Sequence, residues 1–557
     1  MGGRQEKSLK LLRVNSKPDR ASANPDQRRA LLVSFASLAA FLVIIGRLVS
    51  FGMEGAPRHD LAMMRTLSSS LARPDIVDRN GRLLATDISM PSLFADPKRI
   101  IDVDEVLEKL GQVFGNAEIA RISQKLSNRK RRFVWIKRGI SPELAQRIHN
   151  FGLPGLGFRN ELKRVYPAGQ ALGHVLGFVD VDNRGKTGVE RYIDEEVGVA
   201  IVHGGTQRDV QPVRLSIDLL VQHALRRELD DARSRYKAKA VGGVVIDANN
   251  GDVIAMSSMP DFDPNQPLGS LKKANFDRMT QGVFELGSVF KALTVAMVLD
   301  SGVGNLKSRY DARKKIAAGR HEIDDSHGAK RVLSLKEVFL YSSNIGAAQM
   351  GMDLGRSRLK QGFQDFGLLK PLRLEIGQSA KPRFPKYWGE AEMMTFGFGH
   401  GMAVTPLQFA AAAVPLVNGG YYLSPRFVVS GETGGKVRHQ RVLKRATSDA
   451  VRRLMSANVM GKVGTGKRAR VAGYNIGGKT GTAEIAGKGG YKKDRIVASF
   501  VAAFPMDAPK YVTYVVLFEP QGVPETKGKL GAGLNAAPLT ARLISKIAPL
   551  LKELPRS

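Results

Sequence analysis

"AVGGVVIDANNGDVIAMSS", residues 240–258, sets two apolar, β-branched runs on either side of Asn250-Gly251. An Asn-Gly pair between such runs supplies the left-handed backbone of a tight hairpin, so the segment predicts two antiparallel strands. Ahead of it "LSIDLLVQHALRREL", from Leu215, reads as the start of an amphipathic helix. Behind it, helical patterns run through residues 284–415. Three apolar strand candidates then follow, "YNIGGKTGTAEI", "RIVASFVAAF" and "KYVTYVVLFEP", with a terminal helix over 537–552. Strands at both ends with helices between predict one sheet whose first and last strands are neighbours, an α+β fold.

At 557 residues the chain is too long for one compact core, and two or three domains are expected. It has no cysteine, which removes disulfides, zinc-thiolate sites and cysteine nucleophiles together. The net charge of +33 points to anionic surroundings: phospholipid, cell-wall polymer or nucleic acid. From Ala30 to Gly46 no residue is charged, a helical rise of roughly 25 Å, and Arg47 beyond it is able to snorkel. Ahead of this run Arg4, Lys7, Lys10, Arg13, Lys17, Arg20, Arg28 and Arg29 outnumber Glu6, Asp19 and Asp26. The positive-inside bias therefore predicts a cytoplasmic basic tail over 1–29 and a transmembrane signal-anchor helix over 30–52, with everything after it outside. Residues 53–212 read as an irregular, strand-rich module with helices near 104–113 and 142–150. The basic, aromatic run Arg129–Trp135 within it alternates like a solvated strand rather than a nucleic-acid patch.

Chemistry is concentrated in three short elements. "FELGSVFKALTVAM", 284–297, has Ser288 at a Gly-turn and Lys291 three residues on, within reach across one helix face. The same spacing recurs at Ser127/Lys130, Ser234/Lys237, Ser270/Lys273 and Ser357/Lys360, so spacing alone decides nothing. Only Lys291 is flanked by Phe290, Ala292, Leu293 and Val295, where lost hydration lowers an amine's pKa toward the range of a base. Lys479-Thr480-Gly481-Thr482 sits on the first late strand, with Gly477 and Gly478 before it and Gly481 within it, small residues that let a substrate backbone approach. A copy of its first letters, Lys186-Thr187-Gly188, lies in a glycine-rich turn before Ser288. Ser342-Ser343-Asn344 follows a helical stretch and is able to point a hydroxyl and an amide into one cavity. Its letters recur at Ser22/Asn24 and Ser456/Asn458.

The three elements in this order form the set found in penicillin-binding proteins and class A β-lactamases, with Ser343 where that set has aspartate. Residues 53–550 resemble a class B penicillin-binding protein. The likeness extends to "RPDIVDRNGRLLATD", "RVYPAGQALGHVLGFVD", "GHGMAVTPLQFAAAAVPLVNGG" and "GGKTGTAEI". Glu285 resembles the division-type, FtsI-like subgroup, while Leu286 and Ala292 stand where the family commonly has proline.

The resemblance implies a penicillin-binding transpeptidase domain over 213–557, an antiparallel sheet flanked by helices, behind a membrane-proximal pedestal of the dimerisation type over 53–212. It implies that Ser288 attacks the bond between two terminal D-alanines of a peptidoglycan stem peptide, that Lys291 takes the serine proton, and that Ser342 relays a proton to the leaving amine. Lys479 keeps the site positive and Asn344 binds the substrate amide. Thr480, Gly481 and Thr482 bind the donor, Thr480 and Thr482 holding its terminal carboxylate, while the N–H groups of Ser288 and Thr482 form the oxyanion hole. A second stem peptide's amine then completes the cross-link, and β-lactams trap Ser288. No cofactor or metal is called for. The partners implied are stem peptides, β-lactams, a membrane glycosyltransferase and other division proteins of the inner membrane, with no nucleic acid.

Three other functions share parts of this pattern: an elongation-type transpeptidase, a D,D-carboxypeptidase or β-lactamase-like hydrolase, and a non-catalytic division scaffold. Two weaker patterns lead elsewhere. Gly461–Arg468 nearly fits a phosphate loop but has Arg468 where that loop needs Ser or Thr, and His321 and His327 lack a helical ligand spacing.

Overall fold

The computed structural model describes residues 25–53, 73–197, 211–319, 321–325, 328–429, 439–487 and 490–555. It divides into two units, Met1–Ser69 and Ser70–Ser557. In the first, one helix runs over Pro25–Met53 (α1), and its apolar side chains, among them Leu32, Phe35, Phe41 and Ile44, are exposed. Among the described residues no helix is long and apolar enough to cross a membrane. Residues 1–24 of the basic tail lie outside the described residues.

The second unit opens with a sheet of β1 (Ile76–Val77), β2 (Leu83–Ala95), β3 (Val134–Lys137), β4 (Leu156–Val165) and β5 (Val213–Arg214). The order is β3-β2-β1-β5, and β4 pairs antiparallel with β2 from Thr86 opposite Val165 to Ala95 opposite Leu156. Helices α2 (Val103–Gly111), α3 (Asn116–Leu126) and α4 (Pro142–His149) pack Val106, Leu110, Ile122 and Ile148 on Leu93 and Ile136. Helix α3 was not among the expected elements. Its Gly115 N-cap makes no side-chain bond, and its apolar positions are interrupted by Arg121 and Lys125. A buried ion network ties distant segments of this region together. Arg164 Nε donates to Glu190 at 2.7 Å, Arg73 Nε donates to the same carboxylate at 2.9 Å, and Arg164 also pairs with Asp87. All four side chains are fully enclosed, which is tolerable only because each charge meets its opposite.

The remainder is built on a five-stranded antiparallel sheet. Its strands are β6 (Ala240–Asp247), β7 (Val253–Met259), β8 (Gly477–Gly487), β9 (Gly490–Phe504) and β10 (Tyr511–Phe518), in the order β8-β9-β10-β6-β7. The expected hairpin is β6–β7, with Gly251 at φ +81°, and the expected meeting of first and last strands is β6 beside β10, from Ala240 opposite Phe518 to Asp247 opposite Tyr511. Period-two alternation divides β10 between two cores. Val512, Tyr514 and Val516 face one layer, Val515 and Leu517 the other. Helices α5 (Leu219–Arg235) and α12 (Ala536–Leu550) cover the second face. The first is covered by α6 (Lys291–Ser301), α7 (Leu335–Tyr341), α8 (Asn344–Asp365), α9 (Glu390–Phe396), α10 (Pro406–Ala413) and α11 (Arg445–Met460). The stretch 284–415 is less uniformly helical than its pattern implies. Short strand pairs interrupt it at Arg309–Asp311 with Val332–Ser334 and at Ile316–Ala318 with His321–Ile323.

Candidate active site

Ser288 lies in a 3-10 turn, Gly287–Phe290, that runs directly into α6. From Lys291 to Val298 every residue of α6 is buried, as expected of a helix that is apolar on all sides. Lys291 is therefore carried inside by its neighbours and is only 1 % exposed, whereas Lys130, Lys237, Lys273 and Lys360 of the other four Ser-x-x-Lys pairs are all exposed. Two glycines set the turn against strand β8. A Cβ on Gly481 would stand 2.6 Å from Leu286 O and 2.7 Å from Val289 Cγ1, and one on Gly287, whose φ is +61°, would stand 2.4 Å from Thr482 O. Gly481 thus makes room for the serine's own turn. In the sequence its smallness reads as room for an approaching substrate backbone; the structure adds this neighbour inside the protein.

The second element is shaped by two helix ends. Ser334 and Glu337 form a capping box that starts α7. Ser342 ends that helix in the left-handed conformation, φ 58° and ψ 43°, and Ser343 caps α8 by accepting from Gly346 N–H at 3.0 Å. The reversal turns Ser342 and Asn344 toward Lys291, whose Nζ donates to Ser342 O at 2.5 Å, Asn344 Oδ1 at 2.7 Å and Ser342 Oγ at 3.3 Å. Lys479, fully buried on β8, donates to the same Ser342 Oγ at 2.8 Å and to Thr480 O at 3.1 Å. Four of the expected residues, Lys291, Ser342, Asn344 and Lys479, are thereby linked by hydrogen bonds, although they come from α6, two helix ends and a strand.

Burial dominates the electrostatics. Loss of hydration, and then the nearby charge of Lys479, hold the Lys291 amine well below the ordinary lysine range, with Asp325 acting in the opposite direction. Burial likewise lowers Lys479 to about 7. His400 is pushed down to about 4 by burial and by the charge of Lys291. Three nitrogen groups thus share one poorly hydrated region, and each gives up its proton more readily than in water.

Ser288, Ser342, Asn344, Thr480 and Thr482 line one cavity of about 670 Å³. Its wall also holds residues outside the three short catalytic elements: Asp325, His400, Thr465, Lys467, Arg468 and Lys529. Thr480 Oγ1 donates to Thr465 Oγ1 at 2.6 Å, and Thr482 Oγ1 accepts from Ala532 N–H at 3.2 Å. Thr465 belongs to the stretch resembling a phosphate loop. That stretch instead clasps the sheet through Asn458, which accepts from Thr465 N–H at 3.0 Å and donates to Gly478 O at 2.9 Å. This explains the second Ser-x-Asn pair as a structural clip, while Ser22/Asn24 lies outside the described residues. Lys186 of the duplicate Lys-Thr-Gly is exposed and pairs with Asp180. His321 is exposed in a small hairpin, His327 lies outside the described residues, and among the described residues no group of acids and histidines is arranged to hold a metal ion.

Comparison with known proteins gives this geometry a context. Residues 241–544 match the penicillin-binding protein transpeptidase domain, and residues 69–198 match the penicillin-binding protein dimerisation domain. The chain is similar to the probable peptidoglycan D,D-transpeptidase FtsI of Caulobacter vibrioides, 38% identical over 86% of this chain and 81% of the relative. It is also similar to the peptidoglycan D,D-transpeptidase FtsI of Escherichia coli, 29% identical over 88% of this chain and 85% of the relative. Stage V sporulation protein D of Bacillus subtilis is 30% identical over 95% of this chain and 87% of the relative.

Proposed function

The chain belongs to the division-type class B penicillin-binding proteins, and we propose that its peptidoglycan D,D-transpeptidase activity runs through an acyl-enzyme on Ser288. As a penicillin-binding transpeptidase it acts on peptidoglycan and binds β-lactams.

The single observation that carries the residue assignment is the meeting of two buried lysines on Ser342 Oγ. An ammonium has three donors, and Lys291 directs donors at Ser342 O, Ser342 Oγ and Asn344 Oδ1. When it loses its proton, one donor becomes a lone pair and one of these contacts is released. The amine then turns to Ser288, one helical turn away, and accepts its proton as Oγ attacks the carbonyl between the two terminal D-alanines. The C–N bond breaks, Ser342 passes a proton from the lysine pair to the departing D-alanine amine, and the donor remains as an ester on Ser288. Attack on that ester by the amine of a second stem peptide forms the cross-link and returns the proton to Ser288. Asn344 positions the donor amide, Thr480, Gly481 and Thr482 bind the donor, the hydroxyls of Thr480 and Thr482 holding its terminal carboxylate, and the N–H groups of Ser288 and Thr482 stabilise the oxyanion.

We further propose the layout read from the sequence: a cytoplasmic tail over 1–29, one membrane span over 30–52, a pedestal over 53–212 and the transpeptidase domain over 213–557. The helix Pro25–Met53, its exposed apolar side chains and the basic residues ahead of it support the span. A membrane glycosyltransferase and other proteins of the septum are the partners that suit such a layout.

Mass spectrometry of the full-length protein after reaction with a fluorescent penicillin tests the assignment. The adduct is expected on Ser288 and absent from Ser288→Ala. An adduct elsewhere, or persistent labelling of that variant, overturns it.

A further inference from the structure

The second catalytic element has serine at position 343, where the penicillin-binding and class A β-lactamase pattern has aspartate. The structure nevertheless has a carboxylate there. It belongs to Asp325, two residues past the strand His321–Ile323. Asp325 Oδ2 accepts from Ser343 Oγ at 2.6 Å, and Oδ1 accepts from the N–H groups of Asn344 at 2.5 Å and Ile345 at 3.0 Å. The preceding residue adds a fourth tie, Asp324 O accepting from Asn344 Nδ2 at 3.1 Å. Both ends of Asn344 are therefore fixed by one dipeptide, and the free Oδ1 of its amide is left for Lys291 at 2.7 Å.

We propose that Asp325 is a positioning residue for acyl transfer, a carboxylate delivered from a neighbouring loop to the station that an aspartate at 343 would occupy, where it aligns Asn344 and partners the buried ammonium of Lys291. This rests on the reading of Ser288 and Lys291 given above. Helix capping alone does not account for the arrangement. Ser343 Oγ already caps α8 through Gly346 N–H, and Asp325 lines the same cavity as Ser288 and Asn344. Charge supplies a second reason. The charges acting on Lys291 are those of Lys479 from β8 and Asp325, and Asp325 is the acid, while His400 from the turn after α9 is itself pushed down by the charge of Lys291. It draws the Lys291 amine back toward its ordinary range against burial and Lys479, keeping it basic enough to take a proton from a serine.

The test uses the full-length protein in detergent and the second-order rate of acylation by a fluorescent penicillin between pH 6 and 10. Asp325→Ala is expected to slow acylation about 10- to 100-fold, the loss typical of a hydrogen bond to a charged group. Asp325→Asn keeps the shape and the backbone acceptor but not the charge. It is expected to lower the plateau and to move the acidic limb of the profile to lower pH, because Lys291 then releases its proton more easily. Moving the carboxylate in the double variant Asp325→Ser with Ser343→Asp is expected to recover at least tenfold over Asp325→Ala, while Ser343→Asp alone, with two adjoining carboxylates, is slow. An Asp325→Asn profile that superimposes on wild type at every pH overturns the proposal. So does a double variant that melts like wild type yet acylates no faster than Asp325→Ala. Ser288→Ala run alongside separates the two readings. If it still reacts, the nucleophile assignment is wrong; if it is silent while Asp325→Asn matches wild type, only the role of Asp325 falls.

Discussion

Lys291 and Lys479 converge on one oxygen: Ser342 Oγ lies 3.3 Å from the first amine and 2.8 Å from the second. Both amines are enclosed, so the charge of Lys479 is weakly screened and makes Lys291 easier to deprotonate, while burial lowers Lys479 itself. On the proposed mechanism this is what lets Lys291 accept the serine's proton below the ordinary lysine range.

Because the Lys291 amine sits well below the ordinary lysine range, acylation should rise with pH and level off well before pH 10.5. Lys479→Met removes a neighbouring positive charge and should move that limb to higher pH. Stopped-flow acylation of both proteins across the range reads the displacement, and coincident limbs would show the two amines to be uncoupled.

Ser342→Ala deprives both lysines of the shared acceptor without opening a large cavity. Acylation should slow by about 100-fold, in the range of a lost proton-transfer group, while the melting temperature stays within a few degrees. Equal rates for the variant and wild type would remove Ser342 from the proton path.

Lys479 also bears on stability. Its folded pKa, near 7, lies below the unfolded lysine value, so between pH 7 and about 10.5 the unfolded state holds more protons and stability rises with pH. The cost of burying the charge is thus full below pH 7 and gone above 10.5. Lys479→Met should be more stable than wild type by about 2 kcal/mol at neutral pH, with the gap closing as pH approaches 10.5. Urea titrations at pH 7 and pH 10 measure it; a less stable variant at pH 7 would contradict the expectation.

Gly481→Ala puts a methyl group against Leu286 O and Val289, backbone and packed side chain that have nowhere to yield. The turn bearing Ser288 should be displaced, lowering acylation at least tenfold and stability by about 1–3 kcal/mol. Penicillin labelling combined with thermal melting distinguishes the two effects.

Far from the cavity, Glu190→Gln strips the shared carboxylate from Arg73 and Arg164. Leaving two guanidiniums enclosed without that charge should cost about 3–5 kcal/mol. Any acylation by the folded fraction should keep the wild-type pH profile.

How much of this was legible in the sequence depends on whether a feature is local. The hairpin at Asn250-Gly251, the alternation in β10 and the apolar surroundings of Lys291 are written into consecutive residues, and the corresponding structure follows. The contrast between Lys291 and the four exposed look-alike lysines was readable from flanking residues alone. Asp325 and Thr465 were not, because nothing near them in the chain announces the helix end and the strand they meet. The smallness of Gly481 is legible in the sequence, but the turn of Leu286 and Val289 that lies against it is brought there by the fold. Helix α3 was hidden by charged residues on a face that its short length leaves largely in water.

The pairing of β6 with β10 has a bearing on how the molecule comes into being. A ribosome delivers residues 240–247 long before residues 511–518, so the earlier strand waits with one edge unsatisfied until synthesis is almost finished. The strand bearing Lys479 is joined to β6 only through β9 and β10. A polypeptide cut short ahead of residue 511 keeps Ser288, Lys291, Ser342, Asn344 and Lys479 yet lacks the strand that joins β9 to β6, so nothing within the sheet ties Lys479 to the hairpin β6–β7.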